Sequence, residues 1–368
     1  MALINKKIKI LHQYHNNVFD MVKVLEENNE VVFLSYRTSR LVPGIRNNEP
    51  STFRFIWPMY NPFKLSKLLG KDTDILVLKH INDPINFFPY ILSWIKGVKC
   101  VVAVQRLTHK NFWGYRFLFR LGVRLLCLLG VRIMAVTQDS YEELSKTRLK
   151  TVYIPACIKA SCWESVNDQT SHLSANQLSI ITVAKYQKRK NIPLLVKAVA
   201  ELVKKYPLMG FRLVIVGDLS IRKKSQDEFR RVKNLVKQYC LEDIIILRSN
   251  VSHKEMPAIY NQNNIFVLPA GSEPLGYAVL EAMASGKPVI CSDQVGAVSY
   301  IEEGKNGYIC EAGSLSSLVQ SLEKFIRNNN EINIQKIEEF GRYGKTLVER
   351  NHSAGVFLNK FEELVCMK

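Results

Sequence analysis

The sequence predicts an α/β protein with two doubly wound parallel-sheet domains, and three observations predict it. The chain has 368 residues, which is more than one ordinary α/β domain needs and enough for two that each bury a core. Short apolar runs rich in β-branched residues alternate with helix-forming segments in both halves. A polar stretch of little periodicity at 166–178 predicts a linker. We therefore expect an N-terminal domain over 1–165 and a C-terminal domain over 179–350.

In the first half, predicted strands and helices alternate. The predicted strands cover 8–11, 31–35, 52–57, 75–79, 98–104, 131–137 and 152–155. The predicted helices cover 18–27, 61–69, 112–129 and 140–145. Because these strands are short, apolar and separated by helix-forming segments, we expect them to form one parallel sheet.

The second half repeats this alternation. The predicted strands cover 178–183, 211–216, 243–247 and 264–268. A helix with one apolar face follows Asn191, and a second helix over 277–284 ends at the stop signal Ser285-Gly286. This pattern predicts a second parallel sheet with its own core.

One stretch, PAGSEPLGYAVLEAMA at 269–284, carries two carboxylates eight residues apart. Glu273 stands just before the predicted helix start, and we expect Glu281 about two turns inside the helix. The free N–H groups and the dipole of a helix start attract an anion, whereas carboxylates suit hydroxyls or cations. This division of roles fits a nucleotide sugar, with its diphosphate at the helix start and its hydroxyls on the two glutamates. A capped surface helix with two solvated acids has the same spacing, and spacing alone favours that interpretation.

A basic loop at the start of the second half predicts a phosphate site. The strand over 178–183 runs into AKYQKRKN, which contains Lys185 and Lys190 and opens a helix. A strand that ends in a basic loop at a helix start can bind phosphate through backbone and side chains together. The neighbouring Lys188 and Arg189 are expected to be solvated, as charge runs usually are.

These segments together resemble a known family. Glu273 and Glu281 are followed by AMASGKPVI at 282–290 and by Asn306-Gly307-Tyr308. Pieces in this order resemble the family 4 retaining glycosyltransferases of the GT-B fold, specifically over about 180–325 and more loosely before that. The resemblance implies two Rossmann-like domains that face a central cleft. It also implies that the last segment, 351–368, crosses back to complete the first domain.

The resemblance implies a role for each matching side chain of the second domain. Glu273 corresponds to the acid that contacts hydroxyls of the donor sugar, and Glu281 corresponds to the acid on the ribose. Lys185, where arginine is commoner, and Lys190 correspond to the cations on the donor diphosphate. Glu273 and Lys190 are therefore the expected catalytic residues.

Other donor contacts are expected from the backbone. Leu275 and Gly276 stand at the helix start, and Gly217, Asn250 and Val251 stand in loops where family members hold the nucleotide. A single glycine after a strand, such as Gly217, is weak evidence of nucleotide binding by itself. The resemblance implies an NDP-sugar as donor substrate, with no cofactor and no metal.

The chain departs from the family pattern at several positions. Asn191 stands where glycine is usual, and the first loop has no glycine, which leaves Asn16 as a side-chain candidate on the acceptor side. Gln105 stands where a histidine is common, and it cannot act as a base. His80 and His109 are candidate substitutes, although a lone loop histidine is usually solvated.

The charge of the chain is strongly positive and uneven. The formal net charge is +18, and between residues 83 and 139 there is no Asp or Glu but eight Lys or Arg and nine aromatic residues. Arginines recur at helical spacing within this window, at Arg116, Arg120 and Arg124. They make the predicted helix too polar to span a bilayer. The pattern predicts a surface for a polyanion or an anionic membrane, and an ordinary charged helix face has the same pattern.

The leading hypothesis is a retaining glycosyltransferase that moves a hexosyl group from a UDP- or GDP-sugar to a lipid-linked or saccharide acceptor in glycan or cell-surface polysaccharide synthesis. The alternatives are a basic membrane- or nucleic-acid-binding module without catalysis, and a GT-B hydrolase or epimerase. The leading hypothesis includes an anionic membrane as partner and no nucleic acid. Eight scattered cysteines without Cys-x-x-Cys, and no signal-like start, predict reduced thiols and a cytoplasmic protein, peripheral on the inner membrane face.

Overall fold

The structure is a computed structural model that describes residues 4–12, 19–35, 53–55, 66, 69–70, 72–79, 87–105, 122–158, 163, 176–219, 223–327 and 331–367. The predicted α/β class with two parallel sheets is confirmed. The residues group into two compact units. Of the described residues, the first unit contains those up to Cys157 together with 352–367, and the second contains those from Ile158 to Asn351. Most of the predicted linker, 166–175, lies outside the described residues.

The first unit is built on a parallel sheet. Its strands are β1 (Lys7–His12), β2 (Glu30–Ser35), β3 (Phe53–Phe55), β4 (Ile75–Lys79), β5 (Lys99–Val104), β6 (Arg132–Ala135) and β7 (Lys150–Tyr153). In the described residues these seven strands have the order β3-β2-β1-β4-β5-β6-β7. The central pair places Ile10 of β1 opposite Val77 of β4. All are parallel, as expected for strands joined by helices.

Helices cover the sheet of the first unit. They are α1 (Phe19–Glu26), α2 (Phe87–Ile95) and α3 (Gln138–Leu144). Residues 122–128 are also helical, which is the described part of the predicted helix over 112–129. Most of the predicted helix over 61–69 lies outside the described residues.

The second unit has the same architecture. Its strands are β8 (Gln177–Val183), β9 (Gly210–Gly217), β10 (Ile245–Ser249), β11 (Ile265–Leu268), β12 (Val289–Ser292) and β13 (Gly307–Cys310). Its helices are α4 (Ile192–Lys205), α5 (Lys223–Gln238), α6 (Met256–Asn261), α7 (Tyr277–Ala284), α8 (Leu315–Glu323) and α9 (Ile334–Asn351). Within the described part of this unit the six strands have the order β10-β9-β8-β11-β12-β13.

The centre of this second sheet is held by apolar burial and by one polar cluster. Every residue of β11 is buried, as expected for a parallel strand covered on both faces. At its start, Asn264 N donates to Ser179 O (2.8 Å), and Ser179 N donates to Asn264 Oδ1 (2.7 Å). Ser179 also bonds Asn263 Oδ1 through its hydroxyl (2.7 Å). These buried bonds fix the register of β8 against β11.

The last helix, α10 (Ala354–Cys366), belongs to the first unit. Its Lys360 Nζ donates to the carbonyl of Tyr153 at 3.2 Å. Before the helix, the buried His352 places Nδ1 2.7 Å from Ala156 O. Burial lowers the pKa of His352 to about 4, so the ring is neutral and Nδ1–H donates to this carbonyl. The bond joins the two places where the chain passes between the units.

Candidate active site

The order of strands in the second sheet reverses between β8 and β11. From β8 the sheet continues outward through β9 to β10, and from β11 it continues through β12 to β13. Ligands of doubly wound sheets bind at the carboxyl ends of strands at such a reversal. β8 ends at Val183, just before the basic loop, and β11 ends at Leu268, just before the loop of Glu273. The topology therefore brings both predicted loops to one edge.

Backbone contacts hold the loop of Glu273 at this edge. Gly271 N donates to Arg189 O at 2.8 Å, which joins it to the basic loop. Gly296 N donates to Glu273 O at 2.9 Å. A Cβ on Gly296 would lie 2.0 Å from Pro274 O, so only glycine allows this approach. Gly296 could not be predicted from the sequence, since a lone glycine after a strand carries little signal.

Two cations hold the carboxylate of Glu273, which is only 6% exposed. Its Oε2 accepts hydrogen bonds from Lys190 Nζ and from Arg189 Nη1, the latter at 2.8 Å. Burial alone would raise the pKa of Glu273, but Lys190 and Arg189 bring it below its ordinary value. The group is thus a carboxylate at neutral pH. Arg189 is exposed, as expected, but it is also held in place, because its guanidinium donates to Ser272 O at 2.8 Å as well as to Glu273.

This cluster carries a surplus of positive charge. Lys185, which is exposed, lies 3.5 Å from Asp218, so three cations meet two carboxylates. Burial lowers the pKa of Lys190; Glu273 opposes this effect, and the charges of Arg189 and Lys185 add to it. A diphosphate at this edge would relieve that repulsion. An ammonium group has three N–H donors, so Lys190 can serve a carboxylate and a phosphate together.

The backbone of the basic loop explains the unusual Asn191. The turn Lys188–Lys190 ends at Asn191, whose φ is +51°. This left-handed conformation suits glycine best, and asparagine is enriched among the other residues that adopt it. Asn191 therefore replaces the expected glycine without changing the path of the chain into α4. Pro193 follows in the first turn of α4, where its missing N–H costs the helix no hydrogen bond.

The start of α7 faces the same cluster. Gly276 precedes the helix with φ +90°, and Leu275 beside it is buried. A Cβ on Gly276 would lie 2.9 Å from Val295 Cγ1 and 3.5 Å from Glu273 Cγ. Glycine is therefore needed for the conformation and for the space, and the helix start lies next to the Glu273 side chain. In this first turn, Val279 N donates to Gly276 O at 2.9 Å.

Glu281 lies in a second polar cluster. It is four residues inside α7, which is about one turn rather than the two turns expected. Tyr260 Oη donates to Glu281 Oε2 at 3.0 Å, and His253 Nε2 lies 3.8 Å from Oε1. Burial and the charge of Glu281 hold the pKa of Tyr260 far above its ordinary value. The ring of Trp163 packs edge-on against His253 and Tyr260, with centroids 5.1 and 5.7 Å away.

The expected nucleotide loops lie beside the basic loop. A Cβ on Gly217 would lie 2.2 Å from the buried ring of Tyr186, so this glycine makes room for an aromatic side chain. Asn250 is left-handed, with φ +57°, and its N–H donates to Gly217 O at 3.0 Å. Its Oδ1 accepts from Leu219 N at 2.9 Å. Val251 follows, half-buried, at the same end of the sheet.

Residues 166–346 match the model of a family described as glycosyl transferases group 1. The matched region, 181 of the 368 residues, is similar to the group 1 glycosyl transferases. An uncharacterized glycosyltransferase of Haemophilus influenzae is 31% identical over 240 residues, which cover 62% of this chain and 63% of that protein. The capsular polysaccharide biosynthesis glycosyltransferase CapM of Staphylococcus aureus is 26% identical over 179 residues, or 46% and 42% of the two chains. The matches span less than two thirds of the length of these relatives.

Solved structures share the fold of this protein. The crystal structure of HepE from Anabaena in complex with UDP matches with a TM-score of 0.79 and 16% identity, over 98% of this chain and 100% of that one. A glycosyltransferase from Rickettsia africae matches with a TM-score of 0.76 and 16% identity, over 98% of both chains. These likenesses confirm the expected GT-B fold.

Of the candidates predicted for the acceptor side, one is described. Gln105 follows β5 and is buried, and its carbonyl accepts from Thr137 Oγ1 (2.6 Å) and Ser140 Oγ (3.0 Å). These bonds tie the end of β5 to the start of α3. The other acceptor-side candidates lie outside the described residues: Asn16, His80 and His109.

The predicted arginine stripe is described only in part. Arg116 and Arg120 lie outside the described residues, and Arg124 is exposed on the helical segment 122–128. Among the helices that the structure describes, none combines the length and the apolar character needed to cross a bilayer. Nor do the described residues bring three His, Cys, Asp or Glu side chains together as metal ligands.

Proposed function

We propose that this protein is a retaining glycosyltransferase that moves a hexosyl group from a UDP- or GDP-sugar to a saccharide or lipid-linked acceptor in polysaccharide synthesis. The observation that carries the proposal is the buried carboxylate of Glu273 among surplus cations at the start of α7. The comparisons support it, since HepE was solved with UDP and CapM is named for capsular polysaccharide biosynthesis.

The cations are assigned to the diphosphate of the donor. Departure of the sugar leaves a negative charge on the diphosphate, and Lys185, Lys190 and the first N–H groups of α7 stabilise it. Donors that are already in place for a developing charge lower a barrier by about 3–4 kcal/mol each. Because the protein itself supplies this positive charge, we propose a reaction without a divalent cation.

The two acids are assigned to hydroxyl groups. Both cations contact Oε2 of Glu273, and we assign its Oε1 to a hydroxyl of the donor sugar. Glu281, held by Tyr260, is assigned to the ribose. A carboxylate that stays ionised is a strong acceptor for hydroxyl groups. It is a poor general acid, which needs a raised pKa, so the lowered pKa of Glu273 disfavours the hydrolase hypothesis.

The proposed chemistry needs no nucleophile from the protein. The bond between the anomeric carbon and the diphosphate oxygen breaks, and the acceptor oxygen bonds to that carbon on the same face. The acceptor proton passes to the departing diphosphate oxygen. This course retains the anomeric configuration, which proton NMR of the product can determine from its coupling constant.

The first experiment is a thermal-shift panel of UDP-, GDP- and ADP-sugars, each with and without a chelator. We expect the cognate nucleotide sugar to raise the melting temperature regardless of chelator, because bound ligand stabilises the fold. If no nucleotide sugar shifts the melting temperature, the donor assignment is refuted. A shift that the chelator abolishes would overturn the metal-free scheme.

A variant tests the phosphate contact. Lys190→Ala should weaken NDP binding by about 10- to 100-fold, since a lost charge-assisted contact costs about 1.5–3 kcal/mol. It should weaken binding of the nucleoside far less. Lys188→Ala is the matched control, because Lys188 is exposed in the same turn. Equal weakening of NDP and nucleoside by calorimetry would show that Lys190 does not contact phosphate.

A further inference from the structure

Three helical segments lie side by side on one face of the first sheet. Tyr90 of α2, Val123 and Leu126 of the segment 122–128, and Leu144 of α3 belong to one buried cluster. These segments join β4 to β5, β5 to β6 and β6 to β7, and parallel strands require each to run back to the amino edge of the sheet. Their C-terminal ends therefore meet at the edge where β5, β6 and β7 begin.

Two of these helix ends have the same geometry. α2 closes with Val98 N donating to Ser93 O at 2.8 Å, and the segment 122–128 closes with Val131 N donating to Leu126 O at 3.0 Å. This is the six-to-one bond of a Schellman C-cap, and a left-handed glycine stands in both turns. Because β5 and β6 are neighbouring strands, the two equivalent ends are neighbours on the surface.

Large apolar side chains are exposed at these two ends. The exposed fractions are 59% for Trp94, 65% for Ile95, 41% for Leu125 and 77% for Leu128. Buried neighbours in the same helices, such as Tyr90 and Leu126, already supply the contact with the core. Adjacent exposed apolar side chains of this size mark an interaction surface.

Cations surround this apolar surface. They are Lys99, Arg124, Lys146 and Arg148, all exposed. Within the described residues none of these four is in an ion pair. Lys96, by contrast, donates to the carbonyls of Ser66 and Gly70.

Few acids balance these cations at the same edge. Asp72, before β4, binds Lys7 Nζ at 2.9 Å, and Asp74 lies 3.5 Å from Lys6 Nζ. The acids of the adjacent helix α3 are Asp139, Glu142 and Glu143. The stretch of chain from α2 to β6 contributes none, since the sequence contains no Asp or Glu between residues 83 and 139. The end of α10, which carries Glu362 and Glu363, lies near the start of β6, where Arg132 Nη2 donates to Met367 O at 3.1 Å.

We propose that this surface, formed by Trp94, Ile95, Leu125 and Leu128 with its four cations, docks on an anionic phospholipid bilayer. Tryptophan and branched apolar side chains insert at the depth of the headgroups, and neighbouring Lys and Arg then reach the lipid phosphates. A second copy of the chain is disfavoured, because a symmetric contact would bring like charges face to face.

The surface differs from the predicted arginine stripe. It shares only Arg124 with that stripe. Its other residues lie in α2, at the end of the segment 122–128, at the start of β5 and in the turn after α3, so the pattern of a single helix does not reveal the surface. It also lies at the amino edge of the first sheet, in a different unit from the cluster around Glu273. The proposal therefore stands or falls independently of the donor assignment.

The test is co-sedimentation of the full chain with vesicles of phosphatidylcholine, alone or with about one third phosphatidylglycerol. We expect binding only to the anionic vesicles, weakened by salt. Arg124→Gln with Arg148→Gln should weaken binding about 25-fold, since each cation near such a surface contributes about fivefold. Trp94→Ser with Leu128→Ser should weaken it about tenfold or more by removing inserted apolar area. Leu208→Ser is the matched control, because Leu208 is 89% exposed in the second unit.

Each outcome decides the proposal. No binding of the wild type to anionic vesicles at low salt overturns it, as does equal loss in the Leu208→Ser control. Self-association in ultracentrifugation that Leu128→Ser abolishes would assign the surface to a second copy instead. Circular dichroism and the melting temperature of every variant report folding. Arg124→Gln alone, at an exposed position, provides the test if a double variant is unstable.

Discussion

Replacing Glu273 by glutamine removes the one carboxylate that Lys190 and Arg189 share. The shape of the side chain is kept, but Lys190 stays buried beside Arg189 and Lys185 without a negative partner. Breaking a buried ion pair costs about 3–5 kcal/mol. Solvent screens the half-exposed Arg189, so we expect about 2–3 kcal/mol here. In a unit of this size that loss lowers the melting temperature by about 4–12 °C.

Bound nucleotide should restore most of the stability that Glu273→Gln loses. If the diphosphate binds where we propose, its charge replaces that of Glu273 next to Lys190. Saturating cognate nucleoside diphosphate (UDP, if the thermal-shift panel selects it) should then narrow the difference in melting temperature between Glu273→Gln and the wild type. UDP affinity should be kept or increased, while turnover falls because the sugar has lost its acceptor. Differential scanning fluorimetry with a UDP titration measures the first two effects, and product formation measures the third.

The matched control is Glu281→Gln. Glu281 is paired with the phenol of Tyr260 rather than with a buried lysine, so the nucleotide-free protein should melt close to the wild type. Its loss should appear in nucleotide affinity instead. A deficit of Glu273→Gln that is the same with and without UDP would refute the proximity of Lys190 to the diphosphate. Near wild-type turnover would refute the role of Glu273 on the sugar.

Two further predictions concern the framework around the site. The pKa of His352 is about 4 in the fold against about 6.5 in the unfolded chain, so the fold favours the neutral ring. Its contribution of about 3 kcal/mol is complete above pH 6.5 and is lost as the pH falls toward 4, and urea unfolding of His352→Gln should lack this pH dependence. Gly296→Ala places a methyl group against the carbonyl of Pro274 and should destabilise the second unit by about 3 kcal/mol or more in urea unfolding. Gly355→Ala, with open space around it, is the control.

Contrary results would have clear meanings. An unchanged pH dependence in His352→Gln would show that other groups dominate acid unfolding of the first unit. Equal stabilities of Gly296→Ala and Gly355→Ala would show that the loop of Glu273 can move away from the segment after β12.

The two loops at the centre of the site were predictable because their signals are local. Each is a polar segment directly after a buried apolar strand, and the carboxyl ends of adjacent parallel strands meet at one edge. Lys185, Lys190 and Glu273 could therefore be assigned to one place from the sequence. The helix over 277–284 was predicted with its observed bounds because a glycine stands at each end.

Other parts of the site depend on contacts that are distant in sequence. Trp163, His253 and Tyr260 converge near Glu281 from separate segments, and no spacing pattern connects them. In the sequence, Arg189 is one more member of a charge run. Its hydrogen bonds to Ser272 and Glu273 become predictable only once β11 is known to pair with β8. The exposed ends of α2 and of the segment 122–128 likewise become one surface only through the pairing of β5 with β6.

The bond between His352 and Ala156 joins two parts of the first unit that are far apart in the sequence, and this affects the order in which the protein folds during synthesis. Ribosomes synthesise a chain from its N-terminus, and domains generally fold as units as they emerge. Here the second unit is one continuous stretch, Ile158–Asn351, whereas the first unit needs α10, which is translated after all of that stretch. The sheet of the first unit is synthesised first, but the face that α10 later covers stays exposed until α10 has been translated. The second unit can therefore complete its fold before the first unit does. A chain that is truncated after Asn351 and released from the ribosome should bind the cognate nucleoside diphosphate although its first unit lacks its last helix.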